Sequence, residues 1–503
     1  MRISSKPNFP LLTLIVSYLV ACGNSGTSVM PDAETVVSDA GETSNSITEI
    51  ACNGDAFDRI GATCGLFTVD EERGIRIGFA RLPSLGDSNE PPLVVLVGGP
   101  GPSGVLLQVG QYQDGGTMRF VRDDREVLLV DYRGVGLSEP FIGCAPPSDP
   151  TSLAECGTTV DASTLSFDDF RSAAFARDIA GLIEELEMET VVLWGGSYGT
   201  RLALTMMRDV PTRISHVVLD GVFPPEVNGF SQGARAPLAG LAHAVDACAQ
   251  NTSCQNALGD LRPKLTTIAT AIQAHSLAPK LLQTLARLGH HRAGPLLIHT
   301  LSSMSLDQIV NTLSSLADVD YRELNGNDDP GLSSDTEMRA FSFPMALGVV
   351  CSEEAPFVNQ QPLDTTRHNL GSEVTDIFSD FEGGAPFLPS QAQGICLSLG
   401  IGQALPIEIA PIESDIPTLL FSGGLDMQTS PEWGELAASS LTASTHLVFP
   451  LSDHVVTQES RCAQEIMAQF LRFPTKTMDT SCLDSTAGGD LVLATMNIVS
   501  EFQ

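Results

Sequence analysis

A serine flanked by glycines, between a predicted strand and a predicted helix, is the feature that most constrains this chain. The apolar run at 190–194 (TVVLW) predicts a buried strand, and Gly-Gly-Ser-Tyr-Gly follows it at 195–199. The flanking small residues let strand and helix approach closely and hold Ser197 in a sharp, strained turn. Its hydroxyl then lies at a helix N-terminus, where the backbone potential is positive. Ser197 is the candidate nucleophile, and a serine that only caps the helix is the alternative.

Short apolar runs elsewhere predict a parallel sheet around this turn. Further buried strands are expected at 93–97 (LVVLV), 126–131 (EVLLVD) and 216–220 (HVVLD). Apolar residues recur at near-helical spacing over 167–186, which predicts a crossover helix. This alternation is typical of the α/β class, in which helices flank a mostly parallel sheet.

A long segment of different composition interrupts the series of predicted strands. Residues 223–414 contain Ala- and Leu-rich helical stretches, such as 238–249 and 261–272, broken by Pro and Gly. Strand-like runs resume at 417–422 (PTLLFS) and 445–449 (THLVF). Because the sheet needs these last strands, we interpret 223–414 as a mainly helical cap inserted into one core. The two parts of that core would be 49–222 and 415–503.

A serine hydroxyl needs a base, and the base needs an acid that fixes its tautomer. Of nine histidines, His454 lies in a loop just beyond the last predicted strand, whereas the others fall at strand starts or in the cap. Asp426 follows the strand at 417–422, at a carboxyl end where sites of open α/β sheets form. Asp453 is the rival acid, but adjacent side chains on an extended loop diverge. A solvated histidine and a helix-capping aspartate are the structural alternatives.

The turn after the first of these strands has the sequence Gly-Gly-Pro-Gly, at 98–101. A turn in this position can donate one backbone N–H to an oxyanion, and the residue after the nucleophile donates the other. Pro100 has no N–H, so Gly99 is the predicted first donor and Tyr198 the second. An ordinary tight turn is the alternative.

The N-terminal residues predict export and lipid attachment. Residues 1–21 have a basic start and an apolar stretch about half of the roughly 20 residues that a membrane-spanning helix needs, which is the layout of a signal peptide. Leu-Val-Ala-Cys at 19–22 is similar to the lipobox of bacterial lipoproteins, in which the cysteine is acylated. Residues 22–48 would form a flexible tether. We expect an exported, periplasmic or surface-facing envelope protein, anchored only by lipid on Cys22. An ordinary secretory cleavage site is the alternative.

Ten cysteines remain when Cys22 is set aside, an even number suited to disulfides in an oxidising compartment. Short gaps favour neighbouring partners, although other pairings stay formally open. No Cys-x-x-Cys or Cys/His cluster indicates a metal site, so none is predicted. The predicted pairs are Cys52–Cys64, Cys144–Cys156, Cys248–Cys254, Cys351–Cys396 and Cys462–Cys482.

The chain is strongly acidic, with 61 Asp and Glu against 27 Lys and Arg and a formal charge of −34. This charge would repel phosphate backbones, so we expect no nucleic acid partner. The acidic residues form no run, which indicates a solvated surface.

Six motifs follow one another along the chain: Gly-Gly-Pro-Gly, Asp-Tyr-Arg-Gly-Val-Gly-Leu-Ser at 131–138, Gly-Gly-Ser-Tyr-Gly, Leu-Asp-Gly-Val at 219–222, Gly-Gly-Leu-Asp at 423–426 and the late histidine. In this order they resemble the prolyl and tripeptidyl aminopeptidase branch of the α/β hydrolases. The resemblance covers about residues 65–225 and 415–485. Cys462 and Cys482, around the last predicted helix, look like the TAP-like C-terminal region of secreted tripeptidyl aminopeptidase-like hydrolases.

The resemblance implies a serine hydrolase that cleaves N-terminal residues or short peptides through an acyl-enzyme, without a cofactor. Relatives often carry His or Asn where this chain has Val97, which weakens the expected polar support of the oxyanion turn. Acidic cap residues of family aminopeptidases hold the substrate's α-amine, so Glu353 or Glu354 is a candidate for that role. A surface acidic pair is the alternative.

Two other functions are compatible with the same sequence. A carboxylesterase would use the same triad on a small ester, because ester and amide cleavage share the acyl-enzyme route. A surface binding protein could keep this fold without turnover. The sequence does not indicate the oligomeric state.

Overall fold

The computed structural model describes most of the chain from Ile47 onward. The predicted signal peptide, Cys22, most of the predicted tether and Cys254 lie outside the described residues. The described residues are 47–87, 90–144, 150–161, 163–232, 235–250, 252, 255–256, 259–274, 338–358, 370–372, 374, 376 and 389–483.

A mostly parallel sheet of nine strands forms the centre of this described part. The strands are β1 (Ile47–Ile50), β2 (Thr63–Asp70), β3 (Ile75–Leu82), β4 (Leu93–Leu96), β5 (Val127–Val130), β6 (Val191–Gly196), β7 (Ile214–Asp220), β8 (Thr418–Gly423) and β9 (Ser444–Phe449). Their order is β1-β2-β3-β5-β4-β6-β7-β8-β9. Pairings from β5 through β9 are parallel, and those among β1, β2, β3 and β5 are antiparallel. The predicted α/β class is confirmed.

The central strands are buried on both faces. Every residue of β4, β5 and β6 is buried, as expected for parallel strands covered by helices on either side. All six strands predicted from residue 93 onward are present, with ends displaced by at most two residues. Continuous aliphatic runs therefore located the centre of the sheet correctly.

The antiparallel edge formed by β1, β2 and β3 was not predicted. Polar residues and a glycine interrupt β2, and its partner β3 carries Arg76 and Arg81, so neither has the continuous apolar run that marks a buried strand. The Arg81 guanidinium pairs with Glu126 at 2.6 Å beside β5, which accommodates its charge at the sheet. The sheet begins at Ile47, two residues before the predicted start of the core.

Helices pack around this sheet. In chain order the α-helices of the described part are α1 (Asp55–Ile60), α2 (Gly104–Gln108), α3 (Pro150–Gly157), α4 (Ser172–Glu185), α5 (Tyr198–Asp209), α6 (Gly229–Gln232), α7 (Arg235–Gln250), α8 (Leu261–Ala274), α9 (Phe343–Val349), α10 (Pro389–Ser398), α11 (Pro431–Ser440) and α12 (Arg461–Arg472).

The crossover helix α4 begins later than its periodicity predicted. Helical spacing pointed to 167–186, but a short 3₁₀ turn at Phe167–Asp169 precedes the helix. The Asp169 carboxylate accounts for this turn, because it accepts the N–H of Ser166 at 2.7 Å and pairs with Arg133 at 2.6 Å. Side-chain partners distant in sequence therefore set the start of the helix.

The described parts of the predicted cap are mainly helical. The expected stretches 238–249 and 261–272 lie within α7 and α8. Helix α9 continues directly into a π-helical turn, Val350–Glu354, and packs against α3. In the part of the chain that is described, no helix is long and apolar enough to cross a membrane.

Disulfides in the described part join cysteines that are 12 to 45 residues apart. The fifth predicted pair includes Cys254, which lies outside the described residues. The joined pairs are Cys52–Cys64, Cys144–Cys156, Cys351–Cys396 and Cys462–Cys482, each as predicted.

Close packing of α5 on β4 leads to a stability prediction. A Cβ added at Gly199 would lie 2.6 Å from the carbonyl carbon of Leu96 and overlap its oxygen. Because this contact is with backbone, which cannot move aside easily, Gly199→Ala should destabilise the fold by about 3 kcal/mol, the upper part of the usual range for overpacking. Thermal unfolding measures the loss. The control is Gly394→Ala on α10, where a Cβ meets nothing within 4 Å and the change should stay within about 1 kcal/mol. Equal unfolding temperatures for the two variants would contradict this account.

Candidate active site

Ser197 occupies a strained turn between β6 and α5. Its backbone has φ 54° and ψ −124°, a conformation that non-glycine residues rarely adopt. The N–H of Ser197 donates to the carbonyl oxygen of Asp220 at 2.9 Å, which ties the turn to the end of β7. The predicted strand, sharp turn and helix are all present, so the side chain projects at the carboxyl edge of the sheet.

Asp426 and His454 meet beyond the carboxyl ends of β8 and β9. His454 Nδ1 lies 2.8 Å from Asp426 Oδ2, and both side chains are buried. The other carboxylate oxygen of Asp426 accepts the N–H of Gln428 at 2.7 Å and that of Thr429 at 2.9 Å. The Thr429 hydroxyl donates to Oδ2 at 2.5 Å. The carboxylate is therefore held in one orientation toward the imidazole ring.

This contact sets the charge states of both groups. Burial alone would raise the pKa of Asp426, but attraction to His454 and hydrogen bonds from His454 and Thr429 hold it below its ordinary value. Burial would lower the pKa of His454, but the Asp426 charge and hydrogen bond raise it above its ordinary value. The pair thus favours an ionised carboxylate that stabilises a protonated imidazole.

Asp220 connects the serine turn to the histidine loop. Its carboxylate accepts the N–H groups of Val456 and Thr457, each at 2.8 Å, and the Thr457 hydroxyl at 2.6 Å. Burial raises the pKa of Asp220 to about 6, although these hydrogen bonds oppose the shift. The sequence presented Asp220 only within a family motif. An aspartate that ends a buried strand was the available signal for its role.

The next residue brings the imidazole close to the serine turn. A Cβ built on Gly221 would lie 3.0 Å from His454 Cε1, so the ring lies against the backbone that immediately follows Asp220. Asp220 itself accepts the Ser197 N–H. Ser197 is therefore hydrogen-bonded to the short segment at the end of β7, and the His454 ring lies against the same segment.

The rival acid, Asp453, contacts the histidine differently. Its Oδ1 accepts the backbone N–H of His454 at 2.9 Å, and the described contact does not involve the ring. Burial and the nearby Asp426 charge raise the pKa of Asp453 well above its ordinary value. Of the two aspartates, Asp426 makes the contact that can orient the imidazole.

The glycine turn after β4 lies beside Ser197. A Cβ at Gly98 would come within 2.8 Å of Ser197 Cβ and 3.4 Å of its Oγ. Gly99, the predicted donor, has φ 116°, which favours glycine. The Tyr132 hydroxyl donates to the carbonyl oxygen of Val97 at 3.1 Å. The turn thus has polar support through the main chain, although the Val97 side chain offers none.

Glu353 and Glu354 lie in the interior, not at the surface. Both belong to the π-helical turn Val350–Glu354 and are buried. Glu353 accepts hydrogen bonds from Ser172, and Glu354 pairs with Arg201 and accepts the N–H of Gly229 at 2.5 Å. The expected role in holding a substrate amine stays a prediction. Sequence reasoning missed Arg201, whose signal was a charged residue on an otherwise buried helix.

No group of three or more His, Cys, Asp and Glu side chains within the described ranges is arranged to hold a metal ion. The contact of His454 with Asp426, and the serine in the turn after β6, support nucleophilic attack by a hydroxyl with proton transfer through imidazole.

Comparison with known proteins identifies two regions. Residues 91–287 match the family model of the alpha/beta hydrolase fold, and residues 385–482 match the model described as TAP-like protein. Serine protease Hip1 of Mycobacterium tuberculosis and that of Mycobacterium bovis are each 27% identical over 226 residues. The match covers 39% of this chain and 43% of those proteins, so it spans less than half of the relatives' length.

Solved structures similar to this chain include proline iminopeptidase from Mycobacterium smegmatis. It has 15% sequence identity, a TM-score of 0.38, and coverage of 80% of this chain and 96% of that one. An esterase from Thermogutta terrifontis has 15% identity, a TM-score of 0.35, and coverage of 80% and 95%.

The contact between Asp426 and His454 leads to a prediction on pH dependence. A serine reacts only when its base is neutral, so the reaction rate falls as the pH drops through the pKa of His454. Asp426→Asn removes the charge that raises this pKa and should move the acid limb to lower pH. The maximal rate should fall by about 10³- to 10⁴-fold because the tautomer is no longer fixed. The pH profile of fluorophosphonate labelling at Ser197 measures both effects.

Asp453→Asn is the matched control, because it replaces the adjacent carboxyl group without removing the contact of Asp426 with the ring. This variant should lose less than about 10-fold in rate, since its described hydrogen bond is to backbone. A larger loss for Asp453→Asn than for Asp426→Asn would assign the orienting acid to Asp453.

Proposed function

From the α/β-hydrolase fold of this chain and the match of residues 385–482 to the TAP-like family model, we propose that the protein is an exported serine hydrolase with peptidase activity. Ser197 is the nucleophile, His454 the base and Asp426 the orienting acid. The observation that carries the proposal is the 2.8 Å contact of His454 Nδ1 with a buried Asp426, in a chain that also holds Ser197 at positive φ in the turn after β6.

The proposed reaction proceeds through an acyl-enzyme. Ser197 Oγ attacks the substrate carbonyl carbon, and Nε2 of His454 takes the hydroxyl proton, since Nδ1 is engaged by Asp426. The imidazolium then gives this proton to the departing amine as the carbon–nitrogen bond breaks. Water repeats the sequence on the acyl-serine and releases the acid.

Backbone N–H groups of Gly99 and Tyr198 are the proposed oxyanion donors. The closeness of the glycine turn to Ser197 supports the first, and the position directly after the nucleophile supports the second. Because both donors are backbone groups, substitution of the Tyr198 side chain would not remove its donor.

A peptide is the favoured substrate over a simple ester. The similarity to proteins named Serine protease Hip1 supports this choice, within the limits of a match that spans 43% of their length. Cleavage of N-terminal residues or short peptides is the specific activity we propose. A carboxylesterase with the same triad is the second candidate, because its acyl-enzyme chemistry is identical.

Export with lipid attachment at Cys22 is part of the proposal. Four disulfides in the described residues support an oxidising compartment. The sequence Leu-Val-Ala-Cys at 19–22 is the basis for lipidation. A lipid there would be the protein's sole contact with a membrane.

Labelling of the nucleophile tests the central assignment. The purified protein should react with a fluorophosphonate at Ser197, as located by peptide mass spectrometry, and Ser197→Ala should abolish the label. Loss of the nucleophile should reduce kcat by roughly 10⁶-fold. Ser215→Ala is the control, because Ser215 lies near the opposite end of the parallel strands and donates to the Val191 carbonyl oxygen. An unlabelled wild-type protein would indicate an inactive scaffold.

The same preparation distinguishes peptidase from esterase. Aminoacyl and tripeptidyl amides are assayed beside simple acyl esters, with Ser197→Ala as the blank. Higher kcat/KM on the amino-free peptide amides supports the peptidase. Turnover confined to acyl esters would assign the protein as a carboxylesterase.

A further inference from the structure

Arg201 is a buried guanidinium on the helix that begins at the nucleophile. It lies four residues after Ser197 on α5 and is 1% exposed. Its Nη1 pairs with Glu354 and lies 3.6 Å from an oxygen of Glu353. A single arginine therefore contacts two consecutive glutamates from the segment 223–414, which is inserted between β7 and β8 and is called the inserted segment below.

The other terminal nitrogen of Arg201 holds the chain that leaves β7. Nη2 donates to the carbonyl oxygen of Val227 at 2.6 Å and lies 3.3 Å from that of Pro224. The guanidinium stacks over the Phe223 ring, with its central carbon 4.1 Å from the ring centre. The Phe223 N–H donates to the Thr200 hydroxyl at 2.8 Å. The nucleophile helix is thus joined to the segment that follows Gly221.

Glu353 extends the network to the residue directly after the nucleophile. Its carboxylate accepts the Ser172 N–H at 2.6 Å and the Ser172 hydroxyl at 2.9 Å, at the first residue of α4. The Ser172 hydroxyl also lies 2.8 Å from the Tyr198 hydroxyl. Tyr198 and Arg201 are therefore both connected to the same glutamate pair, one through Ser172 and one directly.

The inserted segment is itself held firmly where it carries these glutamates. The Glu354 carboxylate accepts the Gly229 N–H at 2.5 Å. The backbone carbonyl oxygen of Glu354 accepts a hydrogen bond from the side-chain amide of Asn228 at 2.8 Å. The Cys351–Cys396 disulfide joins the turn to α10. The turn that carries the two glutamates is thus held by hydrogen bonds and a disulfide where it contacts α5.

Two carboxylates share one guanidinium in this buried site, and the desolvation of these charges lowers the stability that the ion pairs contribute to the fold. Burial raises the pKa of both Glu353 and Glu354, although Arg201 opposes the shift. Replacing such a cluster by apolar residues is often neutral or stabilising in other proteins, so stability alone does not explain its presence. All four carboxylate oxygens have partners within the protein.

We propose that Glu353 and Glu354 are positioning residues that fix the nucleophile turn through Arg201 and Ser172. The pair anchors the inserted segment to both ends of the first turn of α5, at Tyr198 and at Arg201. This inference rests on the proposed function, because it assigns the network to the reactivity of Ser197. It differs from the expectation that these glutamates hold the substrate's amine.

Neutral variants test the proposal in the full-length protein. Glu353→Gln and Glu354→Gln should each lower the fluorophosphonate labelling rate of Ser197 and kcat by about 10- to 100-fold, because small displacements of a nucleophile cost this much. KM should stay unchanged. The loss should be equal for amino-free and N-acetylated peptide substrates, since no substrate amine is involved.

Asp178→Asn is the matched control for losing a buried carboxylate. Asp178 lies on α4, as Ser172 does, and pairs with Arg133 at 2.5 and 2.7 Å. It should lower the unfolding temperature while leaving the labelling rate within about 2-fold of wild type. If the glutamate variants do not fold, Ser172→Ala decides the test, because it removes the link to Tyr198 and leaves the ion pairs intact. It should also slow labelling.

Three results would overturn the inference. The first is an unchanged labelling rate in folded Glu353→Gln and Glu354→Gln, or in Ser172→Ala when those do not fold. The second is a rise in KM confined to amino-free substrates, which would make the pair a binding site for the amine. The third is an equal slowing in Asp178→Asn, which would reflect general destabilisation. A wild-type protein that does not label would instead refute the proposed function.

Discussion

Parallel pairing of β6, β7 and β8 is the constraint on which the candidate site depends. Gly196 is paired with Asp220, and Asp220 with Phe421, so the carboxyl ends of the three strands reach one edge of the sheet. Ser197 and Asp426 leave the sheet at that edge, where open α/β sheets form their sites. Asp220 then joins the serine turn to the histidine loop through backbone N–H groups. The register of these strands therefore determines where the candidate site lies, and the hydrogen bonds of Asp220 keep its loops together.

The sequence was informative wherever one local pattern decided the structure. Continuous aliphatic runs located the buried strands, and the candidate residues Ser197, Asp426 and His454 follow such strands directly. The antiparallel edge was missed because its strands mix charged, polar and apolar residues. Asp220 and Arg201 were missed because their roles depend on partners distant in the chain. Residue type and periodicity do not reveal which partner a buried charge will meet.

Buried carboxylates perform different tasks according to their partners. Asp426 meets an imidazole and is favoured in its ionised form, whereas Asp220 accepts three hydrogen bonds and fixes a loop. Glu353 and Glu354 share Arg201 and connect the inserted segment to α5, the helix that follows Ser197. The net charge of −34 gives no indication of these roles, because it reports mainly on the surface. Local partners, not the overall charge, determine what each buried group does.

A crystal structure of the phosphonylated protein tests the central claim most directly. The account predicts phosphorus on Ser197 Oγ, the His454 imidazole within hydrogen-bonding reach of the adduct, and a phosphonyl oxygen facing the N–H groups of Gly99 and Tyr198. An adduct on another residue, or an imidazole turned away from Ser197 with no contact to Asp426, would contradict it.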